Sequence, residues 1–496
     1  MNITESVGKL IDKISEKGWY GDILYEEIEK IEYNKEDKEK QMTPLSFKSA
    51  FHLRCIYEGR KVELKTGDIS DTNKIISYIE KLFSVSPRIR KLGVNRFLGP
   101  KKKEYRRTPR IDPRVENLTM VFKNIEKSID EAKKEAIERT GVKGVRIFTN
   151  VWFFSQNEIK YIMDTDGFYR KQTLPRTFLQ VEIKAKKGNK FARTRIRLGD
   201  IKGLDVILSP QLYVNKTSRD KIRYWIERAI KLLNAETLSS EDMQGITHFI
   251  LDRHALGVFV HEALGHNFEA DIVRRGGSGI IKKSGSPKGK VGIPGIHIID
   301  GPLLKRDGRT RKGYGFGTEF IDDEGIEVKV KYLAQRGEIN DMILNRETAY
   351  YYDKIPNGGA FSELGDERVC RMSNTYLFPA DPRMWYKDLK DLIRDVKKGI
   401  ILEGTLGGQV MMDGMTSSIQ IGYLVEKGEI TKIIKPGNFS AKSMMALRHV
   451  DGFAGEVDID DLGFCGKAGQ SKPVGDGGPE WTRIKNNKYV KLIIQR

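Results

Sequence analysis

The hexapeptide His261-Glu262-Ala263-Leu264-Gly265-His266 constrains the fold of this chain more than any other stretch, because two imidazoles and a carboxylate must share one short apolar segment. Imidazole is the commonest metal-binding side chain, and a Glu beside the first His is placed to take a proton from a metal-held water. Seven histidines occur among 496 residues, so the grouping is not a product of abundance. The pattern reads as a catalytic zinc site. Its helix is legible too. Asp252 suits the N-cap, and Leu256, Val260, Leu264 and Phe268 recur every fourth residue as an apolar ridge. Arg274 and Arg275 suit a last turn, with Gly276-Gly277 as the stop.

The spacing sets a condition. Histidines at i and i+4 share a helix face, whereas a step to i+5 turns the side chain by about 140° on an ideal helix, against about 40° for i+4. Both rings could not then reach one ion at a bond length of about 2.1 Å. The helix must therefore widen locally or loosen near Gly265, unless the two histidines are ordinary helix residues, one buried and one exposed. A two-His zinc site also needs a third protein ligand, with one position left open for water. Three cysteines are available. Cys465 lies in the glycine-punctuated stretch Gly463 to Ser471, which reads as a loop able to approach a site closely. Cys55, in the apparent strand His52 to Tyr57, reads as a small core hydrophobe, and Cys370 fits either role.

Four stretches carry a family resemblance through their order: His261 to His266, then Arg371-Met372-Ser373-Asn374-Thr375, then Gly407-Gly408-Gln409-Val410, and finally Gly463-Phe464-Cys465-Gly466-Lys467 through Gln470 to Gly475. Together they resemble the TldD/PmbA family, and within it the TldD branch, which is zinc metallopeptidase-like. The other branch, PmbA or TldE, lacks the His-Glu-x-x-x-His set. The resemblance implies that His261, His266 and Cys465 hold Zn2+ and that Glu262 is the general base. It also implies curved sheets around a buried chamber, where an extended or unfolded peptide lies as an added strand. A dimer follows by the same route, either with a PmbA/TldE-type subunit or with a second copy of the chain.

Composition excludes several classes. No apolar run approaches the span of a membrane helix, since the run from Ala255 stops at His261. The opening residues lack a secretory pattern, and three scattered cysteines make no disulfide framework, so a cytoplasmic location is expected. The formal net charge of +19 invites a nucleic-acid reading. However, 87 basic residues are interspersed with 68 acidic ones, and solvated surface explains them better. Alternatives to a peptidase are a non-catalytic zinc-stapled scaffold or partner subunit, and a basic nucleic-acid-binding protein.

The expected fold class is α+β and multi-domain. Residues 1–95 read as an N-terminal α+β domain, with helices over Glu5–Lys17 and Asp71–Phe83 and strands near Tyr20–Tyr25 and Phe51–Tyr57. Residues 96–112 read as a basic, proline-containing linker. Residues 113–235 form a central α+β domain, with helices from Pro113 to Glu138 and Ser218 to Leu233, alternation over Gln180–Lys186 and a hairpin turn at Asp166-Gly167. Residues 236–496 form a β-rich C-terminal domain, a large curved and mostly antiparallel sheet carrying the metal-binding helix. Gly315-x-Gly317, Gly407-Gly408 and Gly475-x-Gly477-Gly478 read as strand breaks, and 276–295 as a mobile loop serving either as a gate or as a plain connection. For an oxyanion-stabilising group the sequence offers His254, His297, His449, Arg371 and Arg448 without choosing among them. Asn374 could hold a peptide backbone or make a turn.

Overall fold

The structure, a computed structural model, describes residues 3–36, 39–95, 101–114, 117–284, 289–305, 309–310, 314–411, 414–435 and 437–493. It consists of two large sheets with helices packed on them. The first sheet has seven strands: β1 (Tyr20–Glu36), β2 (Glu39–Tyr57), β3 (Arg60–Thr66), β4 (Lys102–Arg106), β5 (Arg146–Asp164), β6 (Tyr169–Lys187) and β7 (Lys190–Asp200). The strand order is β3-β2-β1-β5-β6-β4, with β7 also paired to β6. Helix α1 (Ile3–Glu16) buries Val7, Leu10, Ile11 and Ile14, one stripe at helical spacing. Helix α2 (Thr72–Val85) starts where the Asp71 side chain accepts the Lys74 N–H. Helices α3 (Leu118–Thr140) and α4 (Lys216–Leu232) share a core with Val181, Ile183 and Ala185, the inward positions of alternating β6. Gly167, at φ +77°, supplies the turn between β5 and β6 that its Asp-Gly pair announces.

Two sequence expectations change here. The stretch 96–112 does not separate two sheets: β1 pairs with β5 from Asp22↔Asp164 to Lys35↔Val151, so residues on both sides of it build one sheet. Lys101–Arg107, expected within a linker, contains the edge strand β4, which runs parallel to β6. A charged run suits an exposed sheet edge as well as it suits a linker, because charge there discourages further pairing. Residues 96–100 of that stretch lie outside the described ones.

The second sheet has 14 strands, mostly antiparallel, and takes them from residue 236 onward. The elements that matter for the site are β8 (His248–Asp252), α5 (Arg253–Ala263), α6 (Ala270–Arg275), β9 (Asn374–Pro379), β10 (Lys398–Met411), β11 (Gly414–Glu426), β12 (Val450–Lys467) and β13 (Gln470–Lys485). Strand β8 sits between β10, parallel to it, and β13, antiparallel to it, and runs straight into α5. Helix α5 packs against β9, β10, β11, β12 and β13. Its ridge residues Leu256 and Val260, with Leu264 and Phe268 beyond its end, have no exposed surface.

Three glycine-rich or loop readings are corrected as well. Gly407-Gly408 and Gly475 to Gly478 lie inside β10 and β13, the first pair where the register shifts between Thr405 and Gly407 without ending the strand. The absent side chains permit close approach: a Cβ on Gly257 would sit 2.9 Å from the Gly477 N, so helix and strand meet backbone to backbone. The Gly463–Ser471 stretch is the β12–β13 hairpin, turned at Ala468-Gly469, and Cys465 therefore sits on a strand. Among the described residues no helix is long and apolar enough to cross a membrane.

Candidate metal centre

Helix α5 is fixed at its start by Asp252, whose side chain accepts the Ala255 N–H at 2.8 Å and the Gly404 N–H at 2.9 Å. It ends at Ala263. Leu264 leaves helical geometry at φ −122°, ψ −55°, and Gly265–Phe268 forms a 3-10 turn before α6. The single long helix expected from Asp252 to Arg275 is thus broken into three pieces. The break is the loosening that the five-residue spacing demanded, and Gly265 permits it because a Cβ there would overlap the Met372 Sδ. His261 and His266 consequently face each other, with ring centroids 5.1 Å apart and planes at 86°.

Cys465 comes to the same place from β12. Its Sγ is 3.6 Å from the Nε2 of His266, and the ligand atoms of His261, His266 and Cys465 all lie within 4.8 Å of one another. Tetrahedral zinc with imidazole and thiolate ligands needs donor–donor separations of about 3.4–3.8 Å, so a small adjustment closes this set around an ion. Each imidazole is oriented by a carboxylate. The Nδ1 of His261 donates to the Asp476 Oδ1 at 2.9 Å, and the Nδ1 of His266 donates to the Glu269 Oε2 at 2.9 Å. Those bonds select the tautomer that leaves Nε2 with a lone pair toward the cluster. Lys467 in turn holds Glu269 at 3.1 Å and Asp271 at 2.8 Å.

The electrostatics suit a cation. Burial opposes ionisation of Cys465, yet the two imidazoles overcome it and bring the thiol down to about 5. Burial also opposes charge on the histidines, but Asp476 holds His261 well above its usual value and Glu269 holds His266 up at about 9. The negative surroundings thus stabilise positive charge at this point. The donor set fits zinc: two neutral-capable imidazoles and a thiol readily made thiolate.

Glu262 is half-buried, and burial raises its carboxyl above the usual range against the pull of His261 and His266. It makes no hydrogen bond or ion pair among the described residues. Gly408 leaves space beside it, since a Cβ there would stand 3.3 Å from the Glu262 Cγ.

Other candidates fall elsewhere. Cys55 is buried in the α1–α2 core, and Cys370 is buried with its Sγ 3.4 Å from Thr348; burial raises both thiols. Asn374 neither makes a turn nor faces the cluster: it accepts the Gly317 N–H and donates to Thr318. Arg371 donates to the Cys465 and Gln470 carbonyls and so braces the hairpin. His297 accepts the Arg336 N–H, His254 meets Asp252, Arg448 donates to the Lys290 carbonyl, and the His449 ring lies beside Tyr489. Of the 276–295 stretch, Ile281 and Val291 are buried in the core around α5, and residues 285–288 lie outside the described ones. Sequence reasoning missed Asp476, Glu269 and Lys467. A signal existed for Glu269, three residues after His266 and hence one turn away.

Residues 244–488 match the family profile described as the PmbA/TldA metallopeptidase C-terminal domain. A "Metalloprotease" of Methanothermobacter thermautotrophicus is 36% identical over 264 residues, 52% of this chain and 53% of that protein. A "Zinc metalloprotease TldD homolog" of Saccharolobus solfataricus is 28% identical over 245 residues, 49% of this chain and 51% of its own length. The chain spans about half the length of these relatives. Among solved structures, TldE from Thermococcus kodakarensis superposes with a TM-score of 0.71 at 14% identity, covering 98% of this chain and 99% of that one. That likeness concerns the fold.

Proposed function

Since residues 244–488 make this chain a member of the PmbA/TldD family, we propose that it is a zinc-dependent peptidase of the TldD type, acting on unfolded or extended peptides. The observation that carries the reading is the convergence of His261, His266 and Cys465 within 4.8 Å, with each imidazole oriented by its own carboxylate. In this reading those three residues hold Zn2+, which when bound supplies Lewis acidity toward the scissile carbonyl and the attacking water. Glu262 takes the water proton and returns it to the leaving amine; its raised carboxyl, without a hydrogen-bond partner among the described residues, suits a group that must carry a proton part of the time. Asp476 and Glu269 keep the rings in register. Among the described residues the cluster offers three protein donors, one short of the four that a closed zinc staple needs, which favours catalysis over a staple.

The functional unit in this reading is a cytoplasmic dimer, either with a TldE-type subunit or with a second copy. Zinc analysis paired with hydrolysis of an unfolded peptide tests the assignment. Glu262→Ala is expected to retain zinc and lose cleavage, whereas His261→Ala and Cys465→Ala lose both. Undiminished cleavage by Glu262→Ala would remove the general base from the proposal.

A further inference from the structure

A cavity of about 820 Å³ opens at the far end of the ligand helix from the three donors, lined by Arg195, Arg197, Trp225, His254, Asp461 and Trp481 among others. Two elements lead from it to the metal centre. His254 precedes His261 by seven residues on α5, about 10 Å along a helix. On β12, the Leu462 carbonyl accepts the Arg197 Nη1 at 2.8 Å, and Leu462 precedes Cys465 by three residues, about 10 Å along a strand.

Most charges around the cavity are already matched. Asp460 meets Lys221 and Arg253, Glu403 takes Tyr224, Tyr423 and Arg228, and Asp220 takes Arg223. Arg195 and Arg197 differ. They stand two residues apart on β7, so both side chains leave the same face of the strand. Their hydrogen bonds go to neutral acceptors: Arg195 to the Thr405 carbonyl at 3.4 Å, and Arg197 to Gln180 at 2.9 Å and to Leu462. Neither forms an ion pair among the described residues. Burial lowers both, Arg195 to about 10 with Arg197 adding to the effect, against the through-space pull of Asp461 and Glu182. Asp461 lies in the same wall but forms no ion pair with them, and burial raises its carboxyl to about 7, so it is only partly charged near neutrality.

We propose that Arg195 and Arg197 form a carboxylate-binding subsite that anchors a peptide by its C-terminal carboxylate, about three residues from the bond presented to the His261–His266–Cys465 group. The proposal rests on the peptidase reading. Paired guanidiniums match a carboxylate's two oxygens. The acids in the same wall disfavour a polyanion, and the spacing of about 10 Å along β12 equals three extended residues. A substrate Asp or Glu side chain would bring the same chemistry.

The test uses the zinc-loaded full chain carrying Glu262→Gln, which holds peptide without turnover. Binding of a pentapeptide is followed through the fluorescence of Trp225 and Trp481 or by calorimetry. It is measured with a free C-terminus, with a C-terminal amide, and with an amide whose last residue is Glu. The free acid is expected to bind at least tenfold tighter than the amide, and Arg195→Gln with Arg197→Gln to erase that difference. Recovery of binding by the Glu-containing amide would assign the arginines to side-chain carboxylates instead of the terminus and overturn the terminal anchor. Equal binding of acid and amide to the protein with both arginines intact would overturn the subsite, and this comparison needs no arginine variant. If the acid preference holds but the Glu262-intact protein cleaves no peptide, the peptidase reading fails while the subsite stands.

Discussion

Replacing Asp476 with Ala removes the only hydrogen-bond acceptor on the Nδ1 of His261 among the described residues, without touching a donor of the proposed metal centre. His261 is 4% exposed and Asp476 6% exposed, so water does not readily take the vacated place. A buried N–H left without a partner costs about 1–3 kcal/mol. Independently, losing the carboxylate behind a metal-binding imidazole weakens metal affinity about 10- to 100-fold, or about 1.4–2.7 kcal/mol. The first cost falls on the fold with or without metal, the second on metal binding alone. Zinc competition against a chromophoric chelator measures the effect, and thermal unfolding of the chelated protein separates it from a loss of fold. Asp476→Asn keeps an acceptor oxygen and loses only charge, so its affinity should fall between those of wild type and Asp476→Ala. Zinc affinity of Asp476→Ala within threefold of wild type would refute the argument, as would an Asn variant weaker than the Ala one.

Other expectations can be checked separately. Gly265→Ala should destabilise the fold by about 1–3 kcal/mol through overlap with Met372, and Met372→Ala should restore part of it; chemical denaturation of both and of the double variant decides. Arg54 is buried between Asp22 and Glu324, at 2.6 Å from each, and Arg54→Met removes the ion pair of Glu324 and one of the two held by Asp22, which keeps Arg368, at a cost of about 3–5 kcal/mol visible in urea melts. Burial, reinforced by Asp323, pushes Glu26 up to about 7, so the folded protein keeps that proton to higher pH than the unfolded chain does. Its contribution is therefore full below the ordinary carboxyl range and lost as pH rises through about 7. Glu26→Gln should flatten the stability profile over that interval, and an unchanged slope between pH 5 and 8 would contradict the assignment.

The sequence made the local parts of the site legible and hid the long-range ones. The helix was readable from Asp252 and its apolar ridge, and the need for a break near Gly265 followed from rotation per residue alone. Helix ends in the first sheet fell within a few residues of expectation, because capping and periodicity are local. The glycine-rich stretches misled: glycines usually mark turns, but here they let α5 lie against β13, a contact no local pattern announces. The apparent linker misled for a related reason, since only pairing across the chain shows that Lys102–Arg106 is an edge strand. Asp476 was invisible because its partner stands 215 residues away, whereas Glu269, one turn from His266, could have been found.

Strand β13 lies directly against β8, and the thiol of Cys465 meets a ring 199 residues upstream of it. During synthesis the two histidines therefore leave the ribosome long before their third companion exists. A growing chain carries two of the three donors, and loop closure over such a distance comes late in folding. Metal uptake would then report completion: only a polypeptide translated through the hairpin and folded back onto its own middle could take up an ion, and fragments cut short of it would remain empty.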